Sequence, residues 1–223
     1  MRALVPIARL LFVALFLAAF FVPGKEPNLS DSNAKWVNFV HDHTRELKVS
    51  AILFGLAFIA FLWFAGSLAT RLREAGEQRL AAIAFGSSVA TVTIAAIGIS
   101  IQAALAYRVA AENAAQVKTY VELSFVMLTF LSFFPGAILL ATAIAGWRTK
   151  TFPQWYSALT GLVAVELVVS GGAFSHKGFY APDGGYGLIT LIAFLAWTLV
   201  TSAWLVTQMR GERAPRATPV PTA

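Results

Sequence analysis

Apolar and polar segments alternate along this chain in a pattern that predicts six membrane-crossing helices. Each apolar stretch is close to the length of about 20 mostly apolar residues that a helix needs to cross a bilayer. The predicted spans are Val5–Val22, Lys48–Ala69, Leu80–Ala106, Tyr120–Gly146, Gln154–Gly172 and Gly187–Gln208. The segments between them are too short for a soluble domain. We therefore expect an all-α fold, a single polytopic transmembrane helical bundle over residues 1–210, followed by a disordered cytoplasmic tail at 211–223.

Composition places the chain among integral membrane proteins. Hydrophobic residues make up 58% of it and charged residues 13%, against about 25% charged residues in a soluble domain. The net charge of +6 does not indicate a nucleic-acid partner, because the basic residues cluster at the predicted helix ends, as membrane orientation requires. The chain has no cysteine, which excludes disulfides, thiolate nucleophiles and Cys-ligated zinc. The expected partner is the lipid bilayer, with room for a membrane-protein partner or a homo-oligomer, and we predict no cofactor.

The basic residues also orient the bundle. With the N-terminus inside, ten Lys and Arg residues fall in inner segments and seven in outer ones. The positive-inside rule then predicts cytoplasmic N- and C-termini in a multi-pass plasma-membrane protein. The first span has the length of a signal peptide, but Phe20 and Phe21 occupy positions where a cleavage site has small residues. We therefore expect this span to be retained as a signal anchor.

The longest loop, between the first two spans, carries an amphipathic pattern. Ser30–Ser32 can cap a helix that begins near Asn33. On a helical wheel, Trp36, Phe39 and Val40 then share one face. This segment is either a helix lying on the outer membrane surface or an extension of the second span, and the sequence favours neither.

Two features predict how the spans pack. The third span is rich in Ala, Gly and Ser, which let helix backbones approach closely in lipid, so we place it centrally in the bundle. The fourth span contains Pro135 and Gly136, and proline removes a backbone hydrogen bond, so we predict a helix kink there. Such a kink can serve as a gate, although a packed bend is more frequent.

Glu166 is the residue in the predicted spans whose insertion into the membrane costs the most free energy. It lies about ten residues into the fifth span, where a charged carboxylate costs about 2.5–3.5 kcal/mol on insertion scales. One interpretation is a proton or cation relay, or a ligand contact. The other is a protonated side chain that fixes helix packing through a hydrogen bond. Ser170, one turn on, and Gln102 of the third span are the candidate partners, and both interpretations stay open.

All three histidines, His41, His43 and His176, fall on the predicted outer side. A metal site is not expected, because on one helix His41 and His43 point about 200° apart at about 100° per residue. His43 and Glu46 share a face and can pair. We predict that this pair senses outside pH.

Three loop signatures occur in order along the chain. They are Arg71–Glu77 with Arg79-Leu80 and Ala84–Gly86, then Gly146–Thr149 with Phe152–Trp155, then Tyr180–Gly185 with Gly187 and Trp197. In this order they resemble a group of uncharacterised multi-pass membrane proteins of actinobacteria, over about residues 48–210. The resemblance implies the helical topology and an actinobacterial source, and it carries no activity.

Three roles are compatible with these features. An accessory or structural membrane subunit fits best the short loops, the sparse intramembrane charge and the missing catalytic set. The alternative is a small-solute or proton-coupled transporter or channel that uses Glu166. An intramembrane enzyme would need paired acids, a Ser/His set or metal ligands at membrane depth, so we do not expect an enzyme.

Overall fold

The chain folds into helices joined by short turns. The structure is a computed structural model that describes residues 4–175 and 178–211; it is 83% helix, and the described residues contain no strand. The helices are α1 (Leu4–Phe21), α2 (Asn33–Asp42), α3 (Thr44–Glu74), α4 (Gln78–Ala104), α5 (Ala110–Glu112), α6 (Val117–Leu131), α7 (Phe133–Thr149), α8 (Gln154–Ser170) and α9 (Gly185–Gly211). A π-helical turn, Leu105–Val109, joins α4 to α5, and a 3-10 turn, Ala114–Gln116, leads into α6.

The predicted spans fall on these helices with small shifts at their ends. The fourth predicted span is divided between α6 and α7. Residues 212–223 of the predicted tail lie outside the described residues. Among the described residues, four helical segments are long and apolar enough to cross a membrane, namely Thr44–Glu74, Gln78–Glu112, Ala114–Thr149 and Gly185–Leu205. α1 and α8 are shorter, with 18 and 17 residues.

Within the described residues the long helices form a closed ring in chain order. α1 packs on α3, α3 on α4, α4 on α6 and α7, α7 on α8, α8 on α9, and α9 returns to α1. One end of the ring, which we call the cavity end, carries residues 22–32, 105–116, 171–175 and 178–184. The opposite end carries residues 75–77 and 150–153. α4, expected to lie centrally, packs on α3, α6 and α7, and its small residues allow close approach to these neighbours.

The outward faces of the ring are apolar. Large side chains such as Ile52, Ile59, Leu162, Val165 and Ile192 are more than half exposed. A soluble monomer rarely exposes apolar surface of this extent. The surface is suited to lipid, and together with the four long apolar segments it indicates a membrane protein.

α2 is a separate helix at the cavity end. Ser32 caps it by accepting a hydrogen bond from Lys35 N, so the cap predicted from the sequence is confirmed. The apolar face of α2 is buried against the π-helical turn, α5 and the start of α6, and it consists of Trp36, Phe39 and Val40. This face therefore contacts protein rather than lipid.

The side chain of Asn33 joins α2 to the turn before α6. Its amide donates to Ala114 O at 2.7 Å, and Lys118 N donates to its Oδ1 at 3.0 Å. The amide thus satisfies one acceptor and one donor that the irregular turn leaves free. This contact holds α2 over the end of the ring, beside the cavity described below.

α8 is held on two sides by different kinds of contact. Against α7 the backbones are close, because a Cβ added at Gly136 would lie 2.8 Å from Val168 Cγ2. Against α9 the contacts are polar: Trp197 Nε1 donates to Thr160 Oγ1 at 3.2 Å, and the hydroxyls of Tyr156 and Thr201 are hydrogen-bonded. These contacts fix the rotation of α8 and thereby the direction of Glu166.

Candidate functional site

The ring encloses a cavity of about 760 Å³ at its cavity end. Ligand pockets usually have volumes of about 300–1,000 Å³. The wall is mostly apolar and includes nine of the 18 phenylalanines in the chain, contributed by α1, α3, α6 and α9. The cavity reaches the exposed loop residues Gly24, Lys25 and Asn28, so its mouth lies at the cavity end.

Packed aromatic rings close the opposite half of the ring of helices. Phe61 of α3 lies between Phe12 of α1 and Phe194 of α9, with ring centroids 5.1 and 5.9 Å away. Phe64 meets Trp197 edge-on at 6.0 Å. α4 contributes smaller side chains to the wall, including alanines and a threonine. The space beside these small side chains is left unfilled.

Three polar side chains meet where α8 ends beside α9. Thr190 Oγ1 donates to Glu166 Oε1 at 2.6 Å, and it also lies 3.0 Å from Ser170 Oγ and from Tyr186 O. A hydroxyl has one proton, and a carboxylate is the strongest acceptor within reach, so Thr190 donates to Glu166. Thr190 and Ser170 line the cavity, and Glu166 lies directly behind Thr190. The structure thus brings Glu166 and Ser170 together through Thr190.

Glu166 keeps one unused hydrogen-bond acceptor. Its Oε2 is buried, and no donor from the described residues reaches it. Burying such an atom without a partner costs free energy, which a donor on a ligand would recover. Glu166 lies four residues before α8 ends, about 6 Å along the axis at about 1.5 Å per residue. Glu166 therefore lies midway between the centre of α8 and its end at the cavity side.

Gln102 also lines the cavity but does not contact Glu166. Its Nε2 donates to Ser124 Oγ at 3.5 Å, a long hydrogen bond between α4 and α6. Ser124 in turn donates to Val121 O at 2.8 Å. Because its bond to Ser124 is weak, the Gln102 amide is available to a solute as a second polar group on the wall.

Charged groups surround the mouth of the cavity. Glu26 and Asp183 belong to its wall, with Lys25 beside them. Asp183 Oδ2 accepts a hydrogen bond from Leu29 N at 2.7 Å, which joins the loop before α9 to the loop after α1. Burial raises the pKa of the Glu26 carboxyl above its ordinary value.

Sequence reasoning missed Thr190, Glu26 and Asp183. Thr190 is 24 residues from Glu166, and Asp183 is 154 residues from its partner Leu29. These long-range contacts depend on how the helices are rotated and where the loops fold. A local sequence pattern does not encode either property. The one available signal was that Thr190 is a polar residue near the start of the last apolar span.

The predicted pH-sensing pair, His43 and Glu46, has no hydrogen bond or ion pair between its members among the described side chains. His43 Nδ1 instead lies 3.0 Å from Phe39 O, and the imidazole stacks on the Phe39 ring at 4.5 Å. Glu46 lies in the first turn of α3, where the helix dipole favours a carboxylate. Within the described ranges no group of three or more His, Cys, Asp or Glu could hold a metal ion. His176 lies outside the described residues.

The segment with the predicted kink borders the deep end of the cavity. The helix is interrupted at Ser132, between α6 and α7. Pro135 has no N–H to donate to the carbonyl of Leu131, so the interruption falls in the turn that loses this bond. Pro135 lines the cavity, and Gly136 packs on α8. Any change at this interruption would therefore alter the shape of the cavity.

Comparison with known proteins identifies the family. No curated protein and no solved structure matches the chain. The model of a family described as a domain of unknown function, DUF4386, matches residues 8–208. The match includes α2 to α8 and nearly all of α1 and α9, and with them the ring of helices and its cavity. The chain therefore belongs to the DUF4386 family.

Proposed function

We propose that the protein is a small-solute transporter with six membrane-crossing helices and that the cavity is its solute-binding site. The observation that carries this proposal is a cavity of about 760 Å³ that reaches one end of the ring and is closed towards the other by packed aromatic rings. A transporter needs a site that is accessible from one side at a time. An accessory subunit has no need of such a space.

In this proposal α1 and α8 complete the six spans. Their lengths of 18 and 17 residues fall at the lower limit of the roughly 17–25 residues of spanning helices. α8 exposes Leu159, Leu162, Val165 and Val169 along one face, which suits lipid. With both termini in the cytoplasm of an actinobacterial cell, the cavity opens to the outside of the plasma membrane.

Polar groups on the wall supply the solute contacts in this proposal. Gln102 and Ser170 offer an amide and a hydroxyl on the wall, and Glu166, behind Thr190, can accept a proton. Release on the other side requires Phe61 and Phe194 to separate. The interruption at Ser132 is the hinge about which α6 would tilt to allow this.

The test is a native mass spectrum of the protein extracted gently in lipid nanodiscs. We expect wild type to retain a small organic molecule. Ala95→Phe, which places a ring inside the cavity, should lose it, and Ala103→Phe is the second blocking variant should Ala95→Phe not fold. Ala82→Phe, on the exposed side of the same helix, should retain the molecule. Equal retention by all variants would overturn the proposal.

The same spectrum addresses the accessory-subunit role that the sequence favours. A stoichiometric partner protein with an empty cavity would support that role and contradict transport. A homo-oligomer with a retained molecule agrees with transport. The transport proposal includes no chemical step, so we expect the retained molecule to be recovered unchanged.

A further inference from the structure

The cavity is lined by more acidic than basic side chains. Among the described residues that line it, the acidic ones are Glu26 and Asp183 and the basic one is Lys25. Glu166 adds a third carboxylate directly behind Thr190. Two acids therefore face one base on the wall, with a third acid behind it, and a positive charge inside the cavity is favoured electrostatically.

Lys25 does not neutralise these acids. It lies exposed at the mouth and makes no ion pair with Glu26 or Asp183 in the part of the chain that the structure describes. Asp183 is satisfied by a backbone donor, and the half-buried Glu26 has no ion pair with a basic side chain among the described residues. The negative charge at the mouth of the cavity is therefore free to attract a positively charged ligand.

The aromatic wall of the cavity also favours a positively charged ligand. The face of a phenylalanine ring attracts a cation within about 6 Å, and nine such rings line the cavity. A small hydrated ion would lose its water against these walls at a large cost. An organic cation whose charge is spread under apolar groups avoids that cost.

We propose that the cavity binds a lipophilic organic cation, with the phenylalanine rings around its apolar groups and the carboxylates of Glu26, Asp183 and Glu166 as its counter-charges. This inference rests on the proposed solute site. A neutral acyl chain from a lipid would leave the three carboxylates unbalanced and Glu166 Oε2 without a donor or a positive charge.

The test compares two ions of one shape and opposite charge, tetraphenylphosphonium and tetraphenylborate. Equilibrium dialysis uses the full chain in phosphatidylcholine nanodiscs, and binding that Ala95→Phe or Ala103→Phe abolishes is taken as binding in the cavity. We expect tetraphenylphosphonium to bind there at least tenfold more tightly than tetraphenylborate. One unit charge about 10 Å away, at an effective dielectric constant of about 20, changes an affinity roughly tenfold.

Glu166→Gln keeps the shape of the side chain and removes its charge. It should weaken tetraphenylphosphonium binding about tenfold and leave tetraphenylborate unchanged or tighter. The matched control is Glu122→Gln, an exposed acid at the same end of the ring that does not line the cavity and pairs with Lys118. It should change neither affinity.

The two proposals fail in different ways. If neither blocking variant changes the binding of either ion, the cavity is not a ligand site and the proposed function fails with it. If both ions bind in the cavity with equal affinity, or if Glu166→Gln leaves tetraphenylphosphonium binding intact, the solute site stands and the inferred cation selectivity is wrong.

Discussion

Gly136→Ala tests the close packing of α7 on α8 beside the cavity. An added Cβ at this position would lie 2.8 Å from Val168 Cγ2 and 3.3 Å from Ala164 O, both on α8. Val168 cannot turn away easily, because a β-branched side chain in a helix is largely restricted to one rotamer. The carbonyl of Ala164 is backbone and moves only with the whole helix. We therefore expect α7 and α8 to move apart.

The magnitude follows from two opposing terms. Overpacking of this kind costs about 1–3 kcal/mol. Replacing a helical glycine by alanine returns up to about 1 kcal/mol. We expect a net loss of about 1–2 kcal/mol in the free energy of unfolding, which for a chain of this size lowers the melting temperature by roughly 2–8 °C.

The assay is thermal melting in detergent, followed by the fluorescence of the six tryptophans. Gly86→Ala is the matched control, because Gly86 lies in an exposed part of α4 and an added Cβ there meets nothing within 4 Å. Val168→Ala should restore more than half of the loss when combined with Gly136→Ala, since it removes the shorter of the two contacts. Identical melting of Gly136→Ala and Gly86→Ala would refute the close packing of α7 on α8.

Three further outcomes are expected. Thr190→Val removes the donor to the carboxylate behind it and should lower the free energy of unfolding by about 1–3 kcal/mol, whereas Thr198→Val, whose hydroxyl bonds only to a carbonyl of its own helix, should cost less in the same melt. Asn33→Ala frees the backbone N–H at the start of α6, so hydrogen exchange there should become faster, while Asn38→Ala, at an exposed position of the same helix, should leave it unchanged. Burial raises the pKa of Glu26, and a bound cation favours the carboxylate, so tetraphenylphosphonium affinity should rise with pH through that raised pKa and then level off. If the Glu26→Gln variant shows the same rise in tetraphenylphosphonium affinity with pH as wild type, Glu26 is not the group whose titration causes it.

Helix positions in this protein follow from local chemistry, which is why sequence reasoning found them. α8 begins at Gln154, as predicted, because Pro153 and the turn before it cannot continue a helix. α2 begins after Ser32 because that hydroxyl satisfies a free N–H of the first turn. The face of α2 was also readable from its spacing, whereas the surface on which it packs was not. That surface is made largely by the π-helical turn, α5 and α6, which lie far away in the chain.

The cavity is a property of volume, and polarity patterns carry little information about volume. Phe64 and Phe54 are both apolar residues of α3, yet the first packs on Trp197 outside the cavity and the second lines the cavity. The difference arises from what stands opposite each of them across the ring. Glu166 was identifiable because a carboxylate in an apolar helix is costly wherever it points. Its partner Thr190 was not, because a threonine in such a helix can satisfy itself with a carbonyl of its own turn. A carboxylate in an apolar helix can therefore be recognised from the sequence alone. Its hydrogen-bond partner and the cavity beside it can be recognised only once the fold is known.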